Sequence, residues 1–196
     1  MSGTGFAQSL ARTDLPASLR AHRAAVPPVI DGRLDEPSWQ SAETAGAFRQ
    51  YEPNEGAPAT EPTEVRVLYD NASLYVGVRL YDSEPSRIVA RMSRRDENPD
   101  ADRFTFYVDA LHDRLTGAAF EVSAAGAQRD QSISNDTNRD DSWDAVWEAA
   151  VSIDEQGWIA EMRIPLSQLR FLKAERQTWG FNVERFIYRK NERVWL

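Results

Sequence analysis

Hydrophobic and polar residues alternate one by one along much of the chain. The alternation is cleanest in two neighbouring segments, residues 64–69 and 73–81, and it recurs at 103–109, 118–123 and 158–164. Successive side chains of a β-strand point to opposite faces, so a period of two is typical of a strand with one buried and one exposed face. These five segments are therefore predicted to be half-buried strands.

Weaker strand patterns complete the predicted fold, at residues 19–26, 48–51, 127–134, 145–153 and 178–188. Two short helices are expected, one that carries Trp39 inward and one over residues 165–171. About ten short strands separated by turn signals, with little helix, indicate an all-β sandwich or barrel. We expect one domain over residues 18–196, preceded by a patternless tail, residues 1–17.

Composition narrows the choice of partners. The formal net charge is -8 and the sequence pI is near 4.9. Nucleic acid is therefore an unfavourable partner, because a phosphate backbone selects clustered Lys and Arg, and an anionic membrane surface is disfavoured for the same reason.

Residues 1–11 lack the basic and apolar regions of a signal peptide, and the chain stops within a strand pattern. We expect it to be a piece of a longer protein.

The residue inventory also limits the chemistry. There is no cysteine, which excludes disulfides, zinc–thiolate sites and thiol nucleophiles. His22 and His112 are the only histidines, so a Ser-His-Asp triad or a histidine metal site would depend on these two. A glycosidase would need two carboxylates facing each other at roughly 5–9.5 Å. No motif singles out such a pair, and we expect a binding module without catalytic residues.

Five groups of residues occur in a fixed order over positions 18–190. They are PVIDG at 28–32 with LDE at 34–36 and Trp39, TEVRVLYD at 63–70 with LYVGV at 74–78, DRF at 102–104 with YVD at 107–109, GW at 157–158 with EMRIP at 161–165, and WGFN at 179–182. This ordered set resembles family 9 carbohydrate-binding modules. It also resembles the family-9-like domain at the N-terminus of large bacterial outer-membrane proteins.

The resemblance implies an antiparallel β-sandwich of jelly-roll or immunoglobulin-like type, related to DOMON domains, with one or two short helices. It implies a monomeric module that binds oligo- or polysaccharide, in an exported protein that takes part in polysaccharide recognition or catabolism. The location would be extracytoplasmic, periplasmic or outer-membrane associated, in a Gram-negative type of bacterium. The full-length protein would carry an outer-membrane barrel or a glycoside hydrolase. The alternative is a protein-interaction or plug-like domain attached to such a barrel, without affinity for sugar.

Sugar binding uses flat aromatic faces for the apolar side of a pyranose ring. The family resemblance implies a clamp of two tryptophans. Periodicity assigns Trp147 and Trp158 to the core, and Trp39 after the LDE turn is expected to plug the core as well. Trp179 stands near the start of a predicted strand, and its pattern is compatible with a core position and with a surface position. Trp143, in a polar loop, is the candidate platform, with packing over the sandwich end as the alternative.

Planar polar groups would supply the hydrogen bonds to sugar hydroxyls. Arg94 and Arg95 lie in a charged loop, and Gln128 and Asn135 would join them if these loops share one end of the sandwich. The substitutes for the second tryptophan are Tyr107, Tyr75 and Tyr81, all on outward strand faces. The alternative for the two arginines is a solvated run of charges with local acidic partners.

An acidic cluster follows the strand at 127–134. It consists of Asp136, Asp140, Asp141 and Asp144. Calcium is bound by several oxygen ligands, but the EF-hand loop signature is missing here, and ordinary turn chemistry is favoured. A structural calcium ion stays open as an alternative, and no other cofactor is expected. A haem ligand pair, as in a related sandwich superfamily, has no supporting pattern at Met92 and His112.

Overall fold

A computed structural model of the protein describes residues 18–196. They form one α-helix, α1 (Pro37–Ser41), and the following strands: β1 (His22–Arg23), β2 (Arg49–Glu52), β3 (Thr63–Tyr69), β4 (Ser73–Tyr81), β5 (Arg103–Asp109), β6 (Gly117–Ser123), β7 (Gln128–Ser134), β8 (Asn138–Asp140), β9 (Glu148–Asp154), β10 (Gly157–Pro165), β11 (Gly180–Ile187) and β12 (Glu192–Trp195). The predicted tail, residues 1–17, lies outside the described residues. Across residues 18–196, none of the helices combines the length and apolarity that a membrane crossing requires.

The strands form two sheets. The first sheet has five strands in the order β1-β3-β4-β10-β9, and the second has seven in the order β2-β12-β11-β5-β6-β7-β8. Neighbouring strands are antiparallel except for β1, which runs parallel to β3. The predicted β-sandwich is confirmed, because one hydrophobic core joins the inner faces of both sheets.

Period-two alternation produces this core. Inward side chains from the central strands of both sheets are fully buried, among them Val65, Val76, Ile164, Phe104, Phe120 and Val183. Trp147 and Trp158 lie in the same cluster, as their positions predict. Burying a side chain of this size stabilises a fold by roughly 1.5–3 kcal/mol. The alternating segments therefore supply most of the driving force for folding.

Several elements differ from the sequence prediction. Of the predicted strand over residues 19–26 only His22–Arg23 form β1, and the strand predicted over 145–153 begins at Glu148. Residues 165–171 hold only a single 3-10 turn, Leu166–Gln168, in place of a helix. The predicted polar loop after β7 contains strand β8, because Asn135 and Asp136 both adopt left-handed backbone conformations and close a tight hairpin. The last strand ends at Ile187, and Asn191, also left-handed, turns the chain back into β12.

The outer face of the first sheet is covered by residues 24–42, which we call the strap. Trp39 of the strap is completely buried and packs in a second apolar cluster with Leu68 and Tyr75. Gly77 on β4 makes room for it, since a Cβ there would lie 2.6 Å from Leu34 and 2.9 Å from Trp39. The prediction that Trp39 plugs the fold is confirmed, although it plugs the outside of a sheet and not the space between sheets.

The strap is fixed by one buried carboxylate, Glu161 on β10. Its Oε2 accepts the backbone N–H groups of Asp31, Gly32 and Arg33 at 3.0, 2.7 and 3.1 Å, and its Oε1 accepts the indole N–H of Trp39 at 2.9 Å. Gly32 has a φ of +83°, which lets the three amides converge. Burial raises the pKa of Glu161 to about 7 against the opposing effect of these hydrogen bonds.

Glu161→Gln is expected to destabilise the fold and to remove part of its pH dependence. The pKa of Glu161 is higher in the fold than in the unfolded chain, so its contribution to stability is fully present below the unfolded pKa and is lost as the pH rises through about 7. In the wild type, the free energy of unfolding should fall by about 1 kcal/mol between about pH 6 and pH 8. Glu161→Gln should abolish this slope, because the amide does not titrate.

Urea unfolding at both pH values measures the effect. Glu155→Gln, at an exposed position on the β9–β10 turn, is the matched control and should keep the wild-type slope. A Glu161→Gln variant that retained the slope would show that another group causes it.

Candidate functional site

The outer face of the second sheet is polar and aromatic. The outward side chains of its central strands include Thr105, Tyr107, Glu121, Asn182 and Glu184, which the strand register places in adjacent rows. Burial raises the pKa of Glu121, an effect that the nearby Arg103 opposes. Buried and half-buried polar groups of this kind on a sheet face need an explanation beyond solvation.

Three aromatic side chains lie next to one another on this face, Tyr51, Trp195 and Tyr107, which we call the aromatic strip. Tyr51 is stacked on Trp195 with ring centroids 5.3 Å apart and planes 17° apart. Trp195 meets Tyr107 at 6.5 Å and 42°. Strand β12 lies between β2 and β11, and this order brings the three rings together. Tyr51 is 54% exposed and Trp195 and Tyr107 are half-buried, so the strip is most open to solvent at its Tyr51 end.

Glu184 on β11 holds the strip from beneath. Its carboxylate accepts the indole N–H of Trp195 at 3.1 Å, the hydroxyl of Tyr107 at 3.3 Å and a guanidinium N–H of Arg193 at 2.6 Å. Glu184 is 8% exposed, so leaving these donors without an acceptor would be costly. The polar edges of two of the three rings are therefore fixed.

Arg139 of β8 reaches over the other end of the strip. Its guanidinium carbon lies 5.1 Å from the centre of the Tyr107 ring. Its Nη1 donates to Gln131 Oε1 at 3.1 Å and to the Tyr107 hydroxyl oxygen at 3.4 Å. Ala119 lies between Tyr107 and Gln131 in the strand register, and its small side chain leaves space for this arginine. Burial raises the pKa of Tyr107, and the charge of Glu184 adds to the effect.

The strip and its polar neighbours combine an exposed aromatic face with planar hydrogen-bonding groups. An aromatic face packs against apolar C–H groups, and guanidinium groups offer fixed arrays of donors to oxygen atoms. This combination suits a flat, hydroxyl-rich ring.

Of the residues predicted from sequence, Tyr107 lies within the aromatic strip. Trp143 is half-buried and turned toward the sandwich, where its ring meets the edge of Phe120 at 5.8 Å and 67°. It packs against the main core. The structure therefore gives Trp143 the packing contacts that were the alternative to a platform.

Arg95 and Gln128 are brought together on the other face of the second sheet. Arg95 Nη1 donates to Gln128 Oε1 at 2.8 Å, and its Nη2 donates to the carbonyl of Ala145 at 2.8 Å and to Asp130. Asp130 is fully buried and also accepts the N–H of Ala145 at 2.6 Å and the indole N–H of Trp147 at 3.0 Å. The donors of Arg95 hold the segment before β9 in place.

Arg94 and Asn135 lie apart from that network. Arg94 is exposed, and its backbone N–H donates to the carboxylate of Glu97 at 2.9 Å. Asn135 lies in the exposed turn between β7 and β8. The structure thus unites Arg95 with Gln128 and places Tyr107 on the opposite face of their sheet. A sugar-binding role for these residues stays a prediction.

The aspartates after β7 make turn and ion-pair contacts. Hydrogen bonds from Ser142 lower the pKa of Asp140, and Gln131 and Arg129 lower the pKa of Asp141. Asp144 pairs with Arg95. Across residues 18–196 no three acidic, histidine or cysteine side chains are grouped as a metal site requires. Calcium binding stays a prediction.

Sequence reasoning missed Tyr51, Trp195, Glu184 and Arg139 as parts of one site. Tyr51 ends a recognised strand pattern, but β8 and β12 have only three and four residues and show too few alternations for recognition. The one available signal was the spacing of Arg193 and Trp195, two outward positions separated by the buried Val194.

The chain matches a family model described as "Carbohydrate family 9 binding domain-like" over residues 30–193. A comparison with curated proteins finds no match.

Several solved structures have a similar fold. A family 9 carbohydrate-binding module from Caldicellulosiruptor kristjanssonii in complex with glucose superposes with a TM-score of 0.64 at 18% identity, covering 89% of this chain and 83% of that one. A complex of a family 9 module from that organism with cellotriose gives 0.59 at 18% identity, with 90% and 82% covered. A candidate carbohydrate-binding protein from Bacteroides uniformis gives 0.68 at 13% identity, with 89% and 86% covered.

Glu184→Ala is expected to lower the free energy of unfolding by about 2 kcal/mol, because it leaves Trp195, Tyr107 and Arg193 without their shared acceptor. Urea denaturation measures the loss, and near-ultraviolet circular dichroism should report a disturbed Tyr51–Trp195 stack. Glu64→Ala, which breaks a single contact to Arg66 on the other sheet, should cost much less. Equal losses in the two variants would contradict a central role for Glu184.

Proposed function

Because the chain belongs to the carbohydrate family 9 binding domain-like family, we propose that it is a non-catalytic module that binds oligo- or polysaccharide at the aromatic strip. The observation that carries this proposal is the exposed ring of Tyr51 stacked on Trp195, in a strip whose other end, Tyr107, lies under the guanidinium of Arg139. The complexes of similar structures with glucose and cellotriose support a saccharide as the ligand class.

In the proposed complex, the apolar C–H face of a pyranose ring packs on Tyr51 and the neighbouring edge of Trp195. Within residues 18–196 Arg139 donates only from Nη1, so its other N–H groups are available for hydroxyl or carboxylate oxygens of the ligand. Glu184 acts as a positioning residue, because it fixes Trp195 and Tyr107 before the sugar arrives. Fixing these rings in advance reduces the entropy lost on binding.

The alternative platform within the same proposal is Trp143, with Arg94, Arg95, Gln128 and Asn135 around it. Trp143 shares its packing contacts with the core, and the contacts of Arg95 and Gln128 are internal. The two platforms are separate, because the aromatic strip lies on the outer face of the second sheet and Trp143 lies in the loop after β8, against the core. Single substitutions therefore separate them.

Titration with cellotriose, followed by calorimetry and by amide chemical shifts, tests the platform. Trp195→Ala should weaken binding by about tenfold or more, and Tyr51→Ala should weaken it by a similar or smaller factor, since each removes part of the stacking surface. Trp143→Ala should keep the affinity while lowering the free energy of unfolding, because it opens a gap beside Phe120.

The reverse result, with affinity lost in Trp143→Ala and kept in Trp195→Ala, would transfer the site to the Trp143 loop. If the folded wild type bound no member of a panel of neutral and acidic saccharides, the sugar-binding proposal would fail. The protein-interaction or plug-like alternative would then apply.

We also propose the setting that the family resemblance implies. The module would belong to an exported protein, outside the cytoplasm of a Gram-negative type of bacterium, and would serve polysaccharide recognition or catabolism. A glycoside hydrolase or an outer-membrane barrel would be its covalent neighbour. Sequencing the flanking coding regions tests this setting independently of the binding measurements.

A further inference from the structure

Arginines are frequent on the outer face of the second sheet, and three of them are neutralised within the protein. In each case an ion pair with a carboxylate balances the charge of the guanidinium. The pairs are Arg193 with Glu184 at 2.6 Å and Glu52 at 3.2 Å, Arg129 with Asp141 at 2.7 Å, and Arg103 with Glu121 at 3.9 Å.

Arg139 differs from these three. It is exposed, and in the described part of the chain its guanidinium has no carboxylate partner within ion-pair distance; its contacts are the ring and hydroxyl of Tyr107 and the amide oxygen of Gln131. Asp141, two residues further along, is held by Arg129 at 2.7 Å and by Gln131 at 2.5 Å; the charge of Arg139 helps to lower the pKa of Asp141 but makes no ion pair with it. A positive charge is therefore left over beside the aromatic strip.

What matters for ligand binding is where this single positive charge lies. The guanidinium lies over the Tyr107 ring, and Tyr107 is adjacent to Trp195 in the strip. An oligosaccharide that runs along the strip from Tyr51 toward Tyr107 would bring one of its sugar units to the Tyr107 end, beside Arg139. A planar guanidinium matches a carboxylate in geometry and binds it through paired, charge-assisted hydrogen bonds, which a hydroxymethyl group does not offer.

We infer that the aromatic strip recognises acidic saccharides, with a uronate carboxylate bound by Arg139. This inference rests on the proposed sugar-binding function and assigns its ligand class. The net charge of -8 disfavours general attraction of anions, so selectivity for an acidic sugar would have to arise from the local site.

The test uses two trisaccharides of the same linkage, cellotriose and its analogue in which the non-reducing glucose is replaced by glucuronate. Calorimetric titration of the wild type should show the acidic analogue binding about tenfold tighter. Arg139→Gln should remove most of this preference, and Arg139→Lys, which keeps the charge but not the fork of donors, should give an intermediate ratio. Arg170→Gln, at an exposed position outside the strip, is the matched control and should keep both affinities.

Amide and side-chain shifts of Tyr107 and Gln131 should respond to the acidic analogue in the wild type and much less in Arg139→Gln. If cellotriose binds as tightly as the acidic analogue, or if Arg139→Gln keeps the preference, the inference is overturned while the sugar-binding proposal stands. If neither trisaccharide binds the folded wild type, the inference is overturned, and the panel of neutral and acidic saccharides decides whether the sugar-binding proposal fails with it.

Discussion

The buried carboxylate of Glu161 is the constraint on which the covering of the first sheet depends. It gathers three backbone amides and an indole N–H at the outer face of the first sheet, and so fixes the strap across that face. A buried carboxylate without such donors would be strongly unfavourable, so the strap and the sheet stabilise each other. With that face closed by Trp39, the second sheet carries the aromatic site on its own outer face.

The strand register of the second sheet places the side chains of the site next to one another. Hydrogen-bonded pairing of β2, β12, β11 and β5 sets the spacing of Tyr51, Trp195 and Tyr107, and Glu184 fixes the orientation of two of these rings. A binding face built on strands moves less than one built on loops, and its ligand meets groups that are already in position. The loops around Arg95 and Trp143, in contrast, direct their polar contacts inward and close one edge of the sandwich.

Similarity of fold and identity of ligand are separate matters in this protein. The solved structures that superpose on it share 18% or less of its residues, which is enough for the sandwich and too little for the side chains of a binding face. The sequence motifs that carry the family resemblance illustrate the difference between residues that fix the fold and residues that bind a ligand. Asp31, Gly32, Trp39 and Glu161 all take part in the strap and its anchor, so their place is structural.

The sequence alone determined the strands of the core and most of its tryptophans, because period-two alternation reports directly which side chains are buried. It also determined the family, through motifs that fix the strap. Only the tertiary structure decided the site. Tyr51 on β2 and Trp195 on β12 are far apart in the sequence but lie on strands that pair directly with each other. Trp143 makes a T-shaped contact with the core residue Phe120. Local periodicity carries no record of which distant strands pair, so it could not show which outward residues would meet.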